Sequence, residues 1–185
     1  TTHTDTGLPD GATYHYRVIA TNPAGVSNPS NESDAATFPT LVAWRLQNGL
    51  AGDGSEDTLD ADGDGLPALM EFALGLDPAV KDVANQPEAS PVEEEGSTYL
   101  TLRFRRRTGG SIISNTWQVD GIIYRVEVGS DMQGANWEAD ATKVEWGTLP
   151  TNNGDGTETV TCRLKTPVDG AGNQYFIRLG VEEAP

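Results

Sequence analysis

The chain has 185 residues, 28 of them acidic and 12 basic, and a formal net charge of −16. That charge repels phosphate backbones and anionic lipid, which argues against a nucleic-acid partner. With no apolar run near the ~18 residues of a membrane span and no signal peptide at the start, membrane insertion is not expected. Cys162 is the single cysteine, so there is no internal disulfide framework, and 21 glycines and 11 prolines suit many turns between short strands.

Residues 1–39 are polar and turn-rich. In Tyr14 to Asn22, residues Tyr14, Tyr16, Val18 and Ala20 fall on one face and His15, Arg17 and Thr21 on the other, which predicts a strand. A turn at Asn22-Pro23-Ala24-Gly25 leads to a polar second strand toward Phe38. The run Leu8-Pro9-Asp10-Gly11-Ala12-Thr13-Tyr14, followed by Arg17-Val18, Ala20, Asn22, Gly25 and Ser27, resembles the last two strands of a fibronectin type III domain. The resemblance implies that Tyr14 forms a tyrosine corner, its hydroxyl bonded to upstream backbone. It covers about 35 residues where such a sandwich needs about 100. An isolated hairpin is marginal in water, so the expected partner is an upstream part of the same precursor or another chain that completes the sandwich.

The segment 40–86 carries the strongest chemical signal. Asp60-Ala61-Asp62-Gly63-Asp64-Gly65-Leu66-Pro67-Ala68-Leu69-Met70-Glu71 fits the twelve-residue calcium loop D-x-D-x-D-G-x5-E. Calcium takes six to eight oxygens at about 2.3–2.6 Å, and carboxylates two residues apart on a tightly turning chain can converge on one point. Gly65 permits the bend, the Leu66 carbonyl turns inward, and Glu71 closes the shell. Ala68 replaces a common polar ligand, and a water or a nearby acid such as Asp57 is expected to fill that place. From Leu46 to Val80 there are eight acids and no Lys or Arg, so without a cation the stretch repels itself. The alternative is a merely solvated acidic loop.

Leu66 to Leu74 reads as a helix leaving the loop, with Pro67 in its first turn and Gly75 as its C-terminal cap. Leu41 to Leu46 reads as a second short helix capped by Thr40, packing Trp44 or Leu46 against the first. Residues 51–57 cannot continue a helix into the loop. The segment therefore resembles the single loops of dockerins and thrombospondin type 3 repeats, ending in Gly75-Leu76-Asp77-Pro78.

Pro87 to Gly96, within the segment 87–97, reads as an acidic linker or exposed loop. Residues 98–185 read as antiparallel β-structure, with alternating runs at Leu100–Phe104, Tyr124–Val128, Val160–Leu164 and Tyr175–Val181 and a turn at Asn153-Gly154-Asp155-Gly156. The expected fold is mainly β: a partial fibronectin type III hairpin, a short α-helical calcium-binding segment and an antiparallel β-sandwich with Cys162 as an inert buried thiol.

The order of these pieces, an acidic loop, then Leu100 to Arg107, Tyr124-Arg125-Val126-Glu127, Trp137 and Phe176-Ile177-Arg178-Leu179, resembles C-terminal tails of large secreted bacterial proteins. That implies an extracellular or cell-surface accessory region associated with polysaccharide processing. His3 and His15 stand in no zinc or triad spacing and no nucleotide fingerprint is present, so catalysis is not expected. One rival is an attachment or assembly domain completed by another chain; the other is a carbohydrate-binding module, with Trp117, Tyr124, Trp137 and Trp146 as candidates for stacking on sugar rings, and Arg103, Arg105 and Arg107 for holding carboxylate or sulfate groups along one strand face. The bland counterpart has the aromatics in the core and the arginines paired to the chain's own acids.

Overall fold

The computed structural model describes residue 5 and residues 13–36, 39–132, 136–147, 149–169 and 174–185. It is mainly β, with antiparallel sheets and two short helices. Among the described residues no helix is long and apolar enough to cross a membrane.

Strands β1 (Thr13–Tyr16) and β4 (Ser33–Ala36) pair antiparallel as a two-stranded sheet, and β2 (Thr21–Asn22) pairs with β3 (Gly25–Val26) at the tip. The strand expected from Tyr14 to Asn22 is therefore interrupted. Between its two pieces the amides of Val18 and Ala20 donate to the hydroxyls of Ser30 and Ser27 at 2.9 and 3.0 Å, so serine side chains replace half of the ladder. The return bonds are ordinary, with Ser27 and Ser30 amides donating to the Ala20 and Val18 carbonyls. Tyr14 and Tyr16 share a face as expected, their rings 6.5 Å apart. Leu8 to Ala12 and Phe38 lie outside the described residues, and with them the backbone expected to receive the Tyr14 hydroxyl.

Helix α1 (Leu41–Gln47) starts where Thr40 accepts a bond from the Ala43 amide. Helix α2 (Ala68–Leu74) starts after Pro67 and ends at Gly75, whose φ of 69° is the left-handed conformation that glycine adopts without strain. The Leu76 amide then reaches back to the Glu71 carbonyl at 2.9 Å, closing the helix end. Trp44 of α1 meets Phe72 of α2 edge-on, with ring centres 5.3 Å apart, while Leu46 stays exposed.

The remaining strands form two sheets. One has the order β10 (Val144–Glu145), β12 (Thr157–Leu164), β6 (Ser97–Arg107), β5 (Glu88–Glu94), with β11 (Thr151–Asn152) also on β12. The other has the order β13 (Phe176–Glu183), β9 (Ile122–Gly129), β8 (Thr116–Val119), β7 (Ser111–Ile113). The segment expected to be a linker or loop is thus an edge strand. Its backbone pairs with β6 from Glu88↔Arg103 to Glu94↔Ser97, while its acids and Pro91 keep it solvated. Charge and proline suppress edge-to-edge aggregation, and the same composition reads as a linker or exposed loop in sequence.

Leu102, Phe104, Val160, Cys162 and Leu164 from the first sheet share one core with Ile122, Tyr124, Val126, Val128 and Leu179 from the second, a sandwich-like arrangement. Helix α2 belongs to that core: Phe72, Ala73 and Leu74 are fully buried, and the Tyr124 hydroxyl donates to the Ala73 carbonyl at 2.6 Å. The hydroxyl also accepts the Arg107 amide at 3.2 Å, so one tyrosine ties α2 to both sheets.

Candidate metal centre

The acidic loop turns on its own carboxylates. One Asp60 oxygen accepts the Gly63 and Asp64 amides at 2.8 and 3.2 Å, and the other accepts Gly65 at 3.0 Å. Asp62 accepts Asp64 at 3.0 Å and Asp64 accepts Leu66 at 2.8 Å. These bonds require the chain to reverse at Gly63 and Gly65, with φ of 75° and 98°. Oxygens of Asp60, Asp62 and Asp64 consequently lie within 4.8 Å of one another. One Asp60 oxygen accepts two amides, but its other oxygen and the accepting oxygens of Asp62 and Asp64 take one each and retain a second lone pair, so all three aspartates can still ligate.

Glu71 enters from the first turn of α2. It is 1% exposed, and its Oε2 and the Oδ2 of Asp62 are buried with no hydrogen-bond partner among the described residues. Burial, and then the negative charges of Asp62, Asp64, Asp60 and Asp77, push its carboxyl up to about 7. A carboxylate in that position is a group whose charge lacks an answer, and a divalent cation would supply one. The backbone closes the loop from both ends: the Ala68 amide donates to the Leu59 carbonyl at 2.8 Å and Leu69 to Asp57 at 3.1 Å.

Three residues outside the motif brace it. The Asp82 amide donates to Asp64 at 2.9 Å and holds that carboxyl below the usual range. Gln86 donates to the Asp64 carbonyl at 2.8 Å, and Lys81 to the Gly63 carbonyl at 3.2 Å. Nothing in the spacing of the loop points to them, since they act from 18 to 22 positions downstream.

Asp57, expected as a further ligand, is committed elsewhere. Its two oxygens receive Nε and Nη2 of Arg45 at 2.8 and 2.5 Å, the bidentate fit of a guanidinium to a carboxylate. Arg45 is 2% exposed and also reaches Glu183 at 2.8 Å, joining α1, the run into the loop and the end of β13. The Leu66 side chain is buried and its amide donates to Asp64 at 2.8 Å.

The candidate sugar-binding groups divide. Trp146 is buried edge-on against Phe104, and its indole N–H donates to the Asn115 carbonyl at 3.3 Å. Tyr124 is in the core, and Trp117 lies under the Arg106 guanidinium at 3.5 Å. Trp137 is half-buried and also lines an open groove with Met132, Tyr175 and Phe176. Arg178 sits over the Trp137 ring at 4.0 Å, and the backbone of Gly129 approaches so closely that an added Cβ would lie 3.3 Å from the ring. Arg105 is paired with Asp155 at 2.5 Å and with Thr157, while Arg107 is buried over Phe72 with its Nε on Asp120. The expected stripe of three arginines therefore reduces to Arg103. Comparison with protein-family models, with curated proteins and with solved structures finds no match for this chain.

Proposed function

We propose that this chain is a non-catalytic accessory region of an extracellular protein, stabilised by one calcium ion held by Asp60, Asp62, Asp64, the Leu66 carbonyl and Glu71. The observation that carries the reading is a cluster of three aspartates with a buried, unpartnered oxygen on Asp62, together with a buried, unpartnered oxygen on Glu71, whose carboxyl feels their charge. All candidate ligands are hard oxygens, which suits calcium rather than a softer metal.

When bound, the ion supplies the positive charge that lets Glu71 ionise inside the fold. Glu71 precedes Phe72, Ala73 and Leu74, which fill the core, so the residue that closes the loop also begins the helix segment that closes the sandwich. Holding Glu71 fixes α2, and through Tyr124 it fixes both sheets against the loop. The role is that of a static staple: with one loop and no incoming helix, no second state is offered for signalling.

The resemblances to a fibronectin type III hairpin and to dockerin-type loops belong to the same proposal. Val18 and Val26 are 73% and 67% exposed on the hairpin, which favours completion of that two-stranded sheet by a further polypeptide segment. Thermal melting with added calcium, with magnesium and with EGTA tests the staple. The melting temperature should rise with calcium and fall with EGTA; the same temperature in all three buffers refutes it.

A further inference from the structure

We propose that the outer face of the five-stranded sheet carries a second binding site, centred on Arg103, for the carboxylate of an acidic saccharide. The site uses none of the calcium-loop residues. The chain has nine arginines. Arg17, Arg45, Arg105, Arg106, Arg107, Arg125, Arg163 and Arg178 each lie within salt-bridge distance of a carboxylate. Among the described residues no carboxylate lies within that distance of Arg103, although acids outnumber bases more than twofold and Glu88 stands opposite it in the β5–β6 register.

Its surroundings have the chemistry of a saccharide site. Arg103 lines a groove of about 360 Å³ with Thr151, Asn153, Thr159, Thr161 and Leu149. That volume falls in the ~300–1,000 Å³ range of small-ligand sites. The β-ladder explains the grouping: Thr161 lies opposite Arg103, Thr159 opposite Arg105, and Thr151 opposite Thr159, so strand alternation puts these side chains on one face. Gly147 forms the groove wall, and a Cβ there would stand 2.4 Å from the Thr161 carbonyl, so the wall is backbone where any side chain would clash.

A planar guanidinium matches a planar carboxylate through two parallel hydrogen bonds. Hydroxyl and amide groups around it suit ring hydroxyls, and Leu149, 92% exposed, offers an apolar surface for the face of a sugar ring. A single unpaired guanidinium on a chain of net charge −16 selects a sparse monoanion and repels dense polyanions such as nucleic acid. Uronic acids carry one carboxylate per sugar and fit that condition.

The test is calorimetric titration of the calcium-loaded chain with galacturonate trimers, their methyl-ester counterparts, and a sulfated trimer of equal length, with calcium matched in both solutions. The free acid should bind, the neutral ester at least tenfold more weakly, and Arg103→Gln should lose about tenfold or more for the acid, in line with a charge-assisted pair. Arg103→Lys should recover only part of the loss, because an ammonium cannot form the bidentate pair. An unchanged melting temperature in the variants shows that the groove, not the fold, was altered. Equal binding of acid and ester, equal binding by Arg103→Gln, tighter binding of the sulfated trimer, or no heat from any of them overturns the proposal. None of these results bears on the calcium loop, whose failure would be read from the melting curves alone.

Discussion

Replacing Glu71 by glutamine should move stability in opposite directions depending on calcium. In metal-free protein at pH 8 the wild-type carboxylate is ionised although its folded value stands at about 7 against an ordinary 4.5. At 1.36 kcal/mol per pKa unit, and allowing for water on the open side of the loop, the penalty is on the order of 2 kcal/mol. Glu71→Gln removes the charge at nearly constant volume, and with it the repulsion from Asp62, Asp64 and Asp60. In EGTA the variant should therefore melt roughly 4–8 °C above wild type.

The sign in pH follows from the same displacement. The folded state binds the Glu71 proton more tightly than the unfolded state, so the penalty is absent below about pH 4.5 and grows up to about pH 7. Metal-free wild type should lose stability across that window through this residue, and the variant should lack that component. With calcium at about 100 times its dissociation constant, wild type should gain about 2.7 kcal/mol and the variant much less, so the order of stability reverses. Urea unfolding in EGTA and in calcium measures both halves. A variant less stable than wild type in EGTA, or an equal calcium gain in both proteins, refutes the reasoning.

Arg45→Met removes the guanidinium that joins Asp57 and Glu183, leaving two acids without their cation, and should cost about 3 kcal/mol in urea unfolding. Tyr124→Phe leaves the Ala73 carbonyl and the Arg107 amide without their hydroxyl partner in the core and should cost about 1–3 kcal/mol, with little change in the cooperativity of unfolding. Burial pushes the Cys162 thiol up to about 12, so labelling by a thiol reagent at pH 8 should follow unfolding; labelling of folded protein at the rate of free cysteine contradicts its placement.

What the amino-acid sequence determined by itself was local. The spacing of Asp60, Asp62, Asp64 and Glu71 around Gly65 dictates the turns that gather the aspartates, because Asx bonds reach only two to five residues along the chain. Thr40 and Gly75 set helix ends for the same short-range reason, and alternation in β6, β9, β12 and β13 marks the core faces. Tertiary structure decided which polar groups are spent. Arg45 captures Asp57 across 12 residues and Glu183 across 138, so an acid with the position of a ligand serves as a counter-ion. Pairing with β6 turns an acidic, proline-bearing stretch into edge strand β5. Arg103, Arg105 and Arg107 alternate identically along β6, yet one is buried against α2, one is tied to Asp155 and one faces the groove. Partners from distant segments make that distinction, and long-range pairing leaves no period in the sequence by which it could be read.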